Sequence, residues 1–272
     1  MAANLITPRG GSWSPHRSSV LGLCKFGLVL GAAVWFFARG TERLGYHWQW
    51  YRVPRYLFSV EGGHFLPGPL LQGLLITLQI SAISLVLAFA LGLLTALMRL
   101  SHSVMARWLA RLYLEVIRNT PLLIQLFFLY FVLGPILDLE RHAAAVLALS
   151  LFEGAYAAEI FRAGIASIHT GQWEAAHSLG LSTRHTYFHI IFPQALRRML
   201  PPLTSQAVSL IKDSALVSTV AIYDLTMQGQ VIVADTFLTF EVWFTVAAIY
   251  LALTVTLSYL VRNLELRFKT EA

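Results

Sequence analysis

Residues 172–198 read QWEAAHSLGLSTRHTYFHIIFPQALRR. This polar stretch lies between two apolar runs, 143–168 and 199–223, each long enough to cross a bilayer. Gln172 to Leu179 supplies good helix formers, and Gly180 suits a helix end because glycine accepts the left-handed conformation. Ser182 or Thr183 can cap a second helix. That helix is expected to stop at Pro193, which lacks a backbone donor and disfavours helix at the residue before it. Trp173, Ala176 and Gly180 share one helical face, a narrow surface with one aromatic anchor. Two arrangements fit that surface equally: a short helix seated in a groove on a partner, or a helical hairpin packed on the protein's own face.

Working outward, the 272 residues are 57% hydrophobic and 12% charged, with a net charge of +6. This is too apolar for an ordinary soluble domain. The basic residues fall at the ends of apolar runs, which points to membrane lipid rather than nucleic acid as the partner of the positive charge. The single cysteine, Cys24, excludes an intramolecular disulfide. Six runs have spanning length: 20–38, 68–98, a run starting near Leu112 and ending at Leu137, 143–168, 199–223 and 242–261. The expected fold class is therefore all-α, a polytopic membrane protein of about six transmembrane helices: a five-helix core plus an N-terminal span. With the N-terminus inside, fourteen of the twenty lysines and arginines fall on the cytoplasmic side and five outside, with Lys212 left in the membrane. The bias obeys the positive-inside rule and places both termini in the cytoplasm.

The chain divides accordingly. Residues 1–19 form a Gly/Ser/Pro-rich cytoplasmic tail, and 20–38 an N-terminal span. The span reads as an uncleaved anchor because no small-x-small cleavage site follows it. Residues 39–67 are an external interfacial segment, with Trp48, Trp50, Tyr51 and Tyr56 among four arginines. The core covers 68–264, with the polar insert at 169–193, and 265–272 is a cytoplasmic tail. Gly27 and Gly31 make a GxxxG, a pattern that brings helices close but is common in membrane helices generally.

The spacing Glu174-Ala175-Ala176, three residues, Gly180, nine residues, then Ile190-Ile191-Phe192-Pro193 resembles the EAA signature of permease subunits of binding-protein-dependent ABC importers. Phe192 stands where the family pattern has leucine. The segments 118–125 (RNTPLLIQ), 158–165 (AEIFRAGI), 171–176 (GQWEAA) and 210–218 (LIKDSALVS) resemble the polar amino acid branch of that family, and the likeness runs from about Gly73 to Val261. The resemblance implies a permease of the bacterial cytoplasmic (inner) membrane with no chemistry of its own. Its implied partners are a cytoplasmic ABC ATPase dimer, a second permease subunit, an external solute-binding protein and a polar amino acid such as glutamate, glutamine or aspartate. It also implies that the insert is the coupling helix, with Trp173, Glu174, Ala175, Ala176, Gly180 and Pro193 at the ATPase contact. No G-x-x-x-x-G-K-[ST] loop occurs in the chain, so ATP and magnesium belong to another subunit and this chain needs no cofactor.

Ionisable groups at bilayer depth are costly and face partners or water. Glu159 and Arg162, three apart on one helix, are expected to form a structural ion pair. Gln206, Ser209 and Asp213 form a stripe that suits either a substrate path or a contact with the partner permease. Glu153, with Tyr156 one turn on, lies deep in its span with no basic neighbour in sequence. It suits either a pathway carboxylate that holds a substrate ammonium, or a neutral glutamic acid hydrogen-bonded to the next helix. Two competing classes also fit the sequence. An ion-coupled secondary carrier would use broken helices at the midplane, for which Pro201-Pro202 is the one candidate. An intramembrane enzyme would draw on His169, His177, His185 and His189, of which His185 and His189 have metal-ligand spacing but no third partner and no HExxH, so no metal is expected.

Overall fold

The computed structural model describes residues 15–43, 45–61 and 64–269. It divides into two units, 1–48 and 49–272. In the first, α1 (Pro15–Arg43) covers the predicted N-terminal span and exposes Phe26, Leu28, Val29 and Phe36. Its GxxxG glycines have open space around them: a methyl on Gly27 or Gly31 would meet nothing within 4 Å.

The second unit opens with α2 (Pro54–Leu57) and a small antiparallel hairpin, β1 (Phe58–Glu61) and β2 (His64–Pro67), paired from Phe58↔Pro67 to Glu61↔His64. The hairpin lies within the segment expected to rest at the membrane surface, and its strands were not legible in the aromatic pattern. Helices α3 (Pro69–Leu100), α7 (Arg141–Ala166) and the 239–263 part of α12 (Thr239–Lys269) are each long and apolar enough to cross a membrane. Two bent pairs raise the number of possible crossings in the described residues to five.

The first bent pair corrects the sequence expectation. The run expected to cross from near Leu112 to Leu137 is not straight and breaks after Arg118. Helix α4 (Val104–Arg118) meets the following pair, α5 (Leu122–Phe127) and α6 (Gly134–Leu137), at 104°. The cause is local. Pro121 cannot continue a helix through its missing N–H, and three side chains near it satisfy the carbonyls that α4 leaves open. Asn119 Nδ2 donates to Glu115 O at 2.7 Å, Thr120 Oγ1 to Val116 O at 2.9 Å and Gln125 Nε2 to Ile117 O at 2.8 Å. Gln125 also donates to Thr120 O and Oγ1. The RNTPLLIQ segment is thus a self-capped right-angle corner.

The proline expectations are corrected as well. Helix α9 (Thr183–Thr186) passes through a π-helical turn, Tyr187–Ile191, directly into α10 (Phe192–Asp213). Pro193 sits in the first turn after that widened stretch, where its ring and missing donor are tolerated. Pro201 and Pro202 lie inside α10 and do not end it. Thr204 Oγ1 donates to Leu200 O and Pro201 O beside them, at 2.9 and 2.8 Å. After a 3₁₀ stretch, Ser214–Val220, the chain bends by 48° into α11 (Leu225–Thr236).

The centre of the unit is α3 against α7. Ser84, Ala88, Gly92 and Ala96 are buried on α3, facing a helix whose buried positions include Ser150, Gly154, Ala157 and Ala158. Small residues let two helices approach closely where lipid supplies no hydrophobic push. Ser150 Oγ donates to Val146 O at 2.6 Å and lies 3.4 Å from Ser84 O across the interface. Two apolar clusters flank this seam. One joins Ile80, Leu126, Leu149 and Ile222, and the other joins Phe161, Ile165, Ile191 and Met199.

Candidate functional site

The polar insert is a folded hairpin at the end of the bundle where α3 and α7 finish. Helix α8 (Thr170–Ser178) closes with Gly180 at φ +71°, the left-handed conformation expected of it. Gly180 N donates to His177 O at 2.9 Å and Leu181 N to Ala176 O at 3.1 Å, which satisfies carbonyls at the helix end. Ser182 caps α9, its Oγ accepting from His185 N at 3.4 Å. Trp173 stands edge-on to Tyr187 at 4.9 Å between ring centroids, and it packs on the cluster around Ile165 and Ile191. Ala176 is buried. The face expected to offer an aromatic anchor outward therefore turns inward. Glu174, Ala175 and Leu179 are exposed instead, with Leu179 79% exposed, so the insert shows a mixed outer surface, one acid beside apolar side chains, on a fixed, self-packed frame. Of the two arrangements left open by the pattern, packing on the protein's own face accounts for Trp173 and Ala176, and an exterior contact is left to Glu174 and Ala175.

A second site lies deeper. Glu153 is 1% exposed. Gln206 Nε2 donates to its Oε2, Asp213 approaches the same carboxyl, and Oε1 is buried with no hydrogen-bond partner. Two carboxyls and an amide thus converge between α7 and α10, with one acceptor left over. A buried unpaired acceptor costs free energy, on the order of 1–3 kcal/mol, unless a donor reaches it. Tyr156 and Ser209, expected in the same pathway, lie elsewhere. Tyr156 packs on Phe152 and carries the Arg118 guanidinium 5.5 Å above its ring. Ser209 lines a ≈ 490 Å³ cleft with Lys212 and Arg262 between α10 and α12.

Glu159 is more than half of a pair. Arg162 donates to its Oε2 through Nε at 3.0 Å and Nη2 at 2.9 Å, as the i, i+3 spacing predicts. Arg99 from the end of α3 donates to Oε1, and Arg118 from the end of α4 lies 4.0 Å away. One carboxylate thus ties three helices together at the same end of the bundle as the insert. Arg99 and Arg118 lie 60 and 41 positions from Glu159, beyond any local pattern in the sequence.

A further buried polar group was also missed. Asp224, fully buried, caps α11 by accepting from Met227 N at 2.9 Å. Thr77 Oγ1 accepts from Leu225 N at 3.1 Å, and Tyr250 Oη lies 3.1 Å from Thr226 Oγ1 and 3.5 Å from Asp224. The Asp-Leu-Thr-Met start of α11 was the available signal, an aspartate ahead of an apolar helix. Among the histidines, His185 and His189 stack at 5.4 Å between centroids. No three metal-binding side chains converge among the described residues.

Residues 88–270 match the family described as "Binding-protein-dependent transport system inner membrane component". The chain is 41% identical over 203 residues to the glutamine transport system permease protein GlnP of Escherichia coli (strain K12), an overlap of 74% of this chain and 93% of that protein. It is 42% identical over 200 residues to the probable glutamine ABC transporter permease protein GlnP of Bacillus subtilis (strain 168), covering 72% and 92%. Among solved structures, a crystal structure of an amino acid ABC transporter with histidines aligns with a TM-score of 0.68 at 37% identity, over 73% of this chain and 94% of the other.

Proposed function

Since the chain belongs to the binding-protein-dependent transport system inner membrane component family, an amino acid ABC importer permease of the inner membrane, we propose that it carries a polar L-amino acid of the glutamine, glutamate or aspartate type into the cell. The names of its similar permeases support glutamine as the first substrate to test. Family membership implies an ATPase and a solute-binding protein as partners. We place the ATPase as a dimer at the insert, a second permease copy or sister subunit beside this one, and the binding protein outside, with both termini in the cytoplasm.

The observation that carries the proposal is the insert's construction. Trp173 and Ala176 anchor α8 inward, Gly180 fixes the bend, and Glu174 and Ala175 are left outermost. Pro193 opens the long helix that continues from it. A push on Glu174 and Ala175 is passed through α9 and α10 to Gln206 and Asp213 without a break in the helix. Closure of an ATP-loaded ATPase dimer would then shift the permease from inward-facing to outward-facing states, an effect equal to the difference in its affinity for the two. Glu153 Oε1, buried and unpartnered, suits a substrate ammonium passing along α7 and α10. Tyr156 and Ser209 stand off this cluster and contribute at most to its approaches. The segment before residue 68 is an addition to the core, with residues 20–38 as its membrane anchor and 39–67 at the outer surface.

The test is crosslinking in native membranes. In a Cys24→Ser background, single cysteines at positions 174–180 are crosslinked and their partners identified by mass spectrometry. Capture of an ATPase strongest from 174, 175, 178 and 179, and weak from 176, supports coupling through the outer face. A transport-competent protein whose insert captures only itself refutes it.

A further inference from the structure

Helix α4 has three faces rather than two. Ala110 and Leu114 are buried against the bundle. Met105, Trp108, Leu109, Leu112 and Val116 are exposed and recur at helical spacing, with Trp108 57% exposed. Arg107, Arg111, Glu115 and Arg118 form the third face, i, i+4, i+8 and i+11. The corner at residues 119–121 turns this helix 104° away from the next apolar helix. A helix at right angles to the apolar helix that follows it, with one apolar and one arginine-rich face, is built to lie in the plane of a membrane surface.

Behind the arginine face is a cavity of ≈ 630 Å³ lined by Arg99, Arg111, Arg118, Asn119, Tyr156 and Glu159. Its arginines are unequally engaged. Arg99 is bound to Glu159, and Glu159 is already shared with Arg162. Arg118 is 4.0 Å from Glu159 and 44% exposed. Arg111 has no hydrogen-bond or ion-pair partner among the described residues. The second acid, Glu115, accepts from Asn119 Nδ2 at 3.0 Å. The cavity is therefore cationic, with guanidinium donors to spare, and it adjoins an apolar stripe that calls for hydrocarbon. Guanidinium groups bind phosphate oxygens in pairs of parallel hydrogen bonds.

We infer that this cavity holds the phosphate headgroup of an acidic phospholipid, with the acyl chains lying along the Met105–Val116 face of α4. A free anion would satisfy the arginines but leave the apolar face without a partner. A second copy of the chain would cover the apolar face but bring its own arginines to the cavity. A phosphodiester with two acyl chains satisfies both. The site stands apart from the transport proposal and takes from it only that the chain resides in a bilayer.

The purified full chain is examined by native mass spectrometry with dioleoyl phosphatidylglycerol and dioleoyl phosphatidylcholine in equal amounts. Each arginine engaged at a membrane surface is worth about a fivefold preference for the anionic lipid. The wild type is expected to retain phosphatidylglycerol preferentially. Arg111→Gln lowers that preference by about fivefold, Arg111→Lys keeps most of it, and Arg184→Gln, on the insert and outside the cavity lining, leaves it unchanged. Equal retention of the two lipids overturns the inference, as does a preference that ignores Arg111→Gln. An equal fall in Arg184→Gln would mean a diffuse field rather than a site, and would also overturn it. A parallel arm uses inorganic phosphate without lipid: if phosphate alone protects the chain from thermal unfolding in an Arg111-dependent way while phosphatidylglycerol is not retained, the site takes a soluble anion and the lipid assignment falls.

Discussion

Replacing Gly92 with alanine should destabilise the protein even though alanine is the better helix former. Gly92 lies in α3, where intrinsic propensity alone would make the substitution stabilising by roughly 0.5–1 kcal/mol. Its missing side chain faces α7. A Cβ built there stands 2.8 Å from Ala157 Cβ and 3.0 Å from Gly154 O, well inside ordinary contact. The obstacles are a backbone oxygen and a Cβ, so no flexible side-chain end can move aside. The two helices must separate by several tenths of an ångström, and the small-residue seam from Ser84 to Ala96 loses contact along its length. Overpacking of this kind costs about 1–3 kcal/mol. For a chain of this size that is a fall in Tm of roughly 2–10 °C. Gly31→Ala is the matched control, since a methyl there meets nothing within 4 Å. Both variants are followed by loss of helical circular dichroism on heating the full chain in one detergent. A Gly92→Ala protein that melts at or above the wild type, in step with Gly31→Ala, would refute the close approach of α3 and α7.

Glu159→Gln leaves Arg99, Arg118 and Arg162 gathered without their anion. Because the Glu159 side chain is 24% exposed, solvent screens part of the effect, and the expected loss is about 1–2 kcal/mol, shrinking as salt rises. Arg118→Gln, which removes the 4.0 Å member and its contact over the Tyr156 ring, should cost about 1 kcal/mol or less in the same melts; equal losses would break the hub description. Glu153→Gln keeps size and hydrogen bonding but removes charge, so stability should hold while amino acid uptake by the reconstituted importer falls; unchanged affinity and rate would remove Glu153 from the pathway. Gly180→Ala forces a Cβ into the left-handed conformation at roughly 1–2 kcal/mol, so transport should drop, and Gly180→Asn should recover most of it because asparagine tolerates that backbone; no difference between the two would mean the bend is not fixed by this residue. Gln125→Leu removes the amide donor from Ile117 O and Thr120 O but also removes a buried Oε1 that has no partner, so Tm should fall modestly, with an expected cost of about 1 kcal/mol.

The long apolar helices were legible because length and charge exclusion are properties of contiguous sequence. Pro69–Leu100, Arg141–Ala166 and 239–263 fall within a few residues of the runs at 68–98, 143–168 and 242–261. The start of the insert was legible for the same reason: Gly180 and Ser182 act on their immediate neighbours. Proline misled in both directions. Pro121 marks a right-angle corner inside what hydropathy alone joins into one span, whereas Pro193, Pro201 and Pro202 are absorbed without ending a helix. The deciding factor in each case is what neighbouring groups do with the carbonyls that proline leaves open, which residue type alone does not encode. The candidate site was legible only where partners are local. Arg162 could be paired with Glu159 from spacing. Arg99 with Glu159, Gln206 with Glu153 and Thr77 with Leu225 are separated by 60, 53 and 148 positions, and only the packing of α3, α7, α10 and α11 brings them together.

The adjacent prolines of α10 have a mechanical consequence. An N–H is missing at two successive positions, so the carbonyls of Arg197 and Arg198 lose their ordinary helical partners, and the rod is least stiff there. Arg198 is also pinned from outside, its Nη1 donating to Ser167 O at 2.6 Å. A rod pinned at its softest point bends there first. Displacement of the insert end would be divided between bending at the prolines and movement of the Gln206–Asp213 end, which begins about 12 Å further along by helical rise.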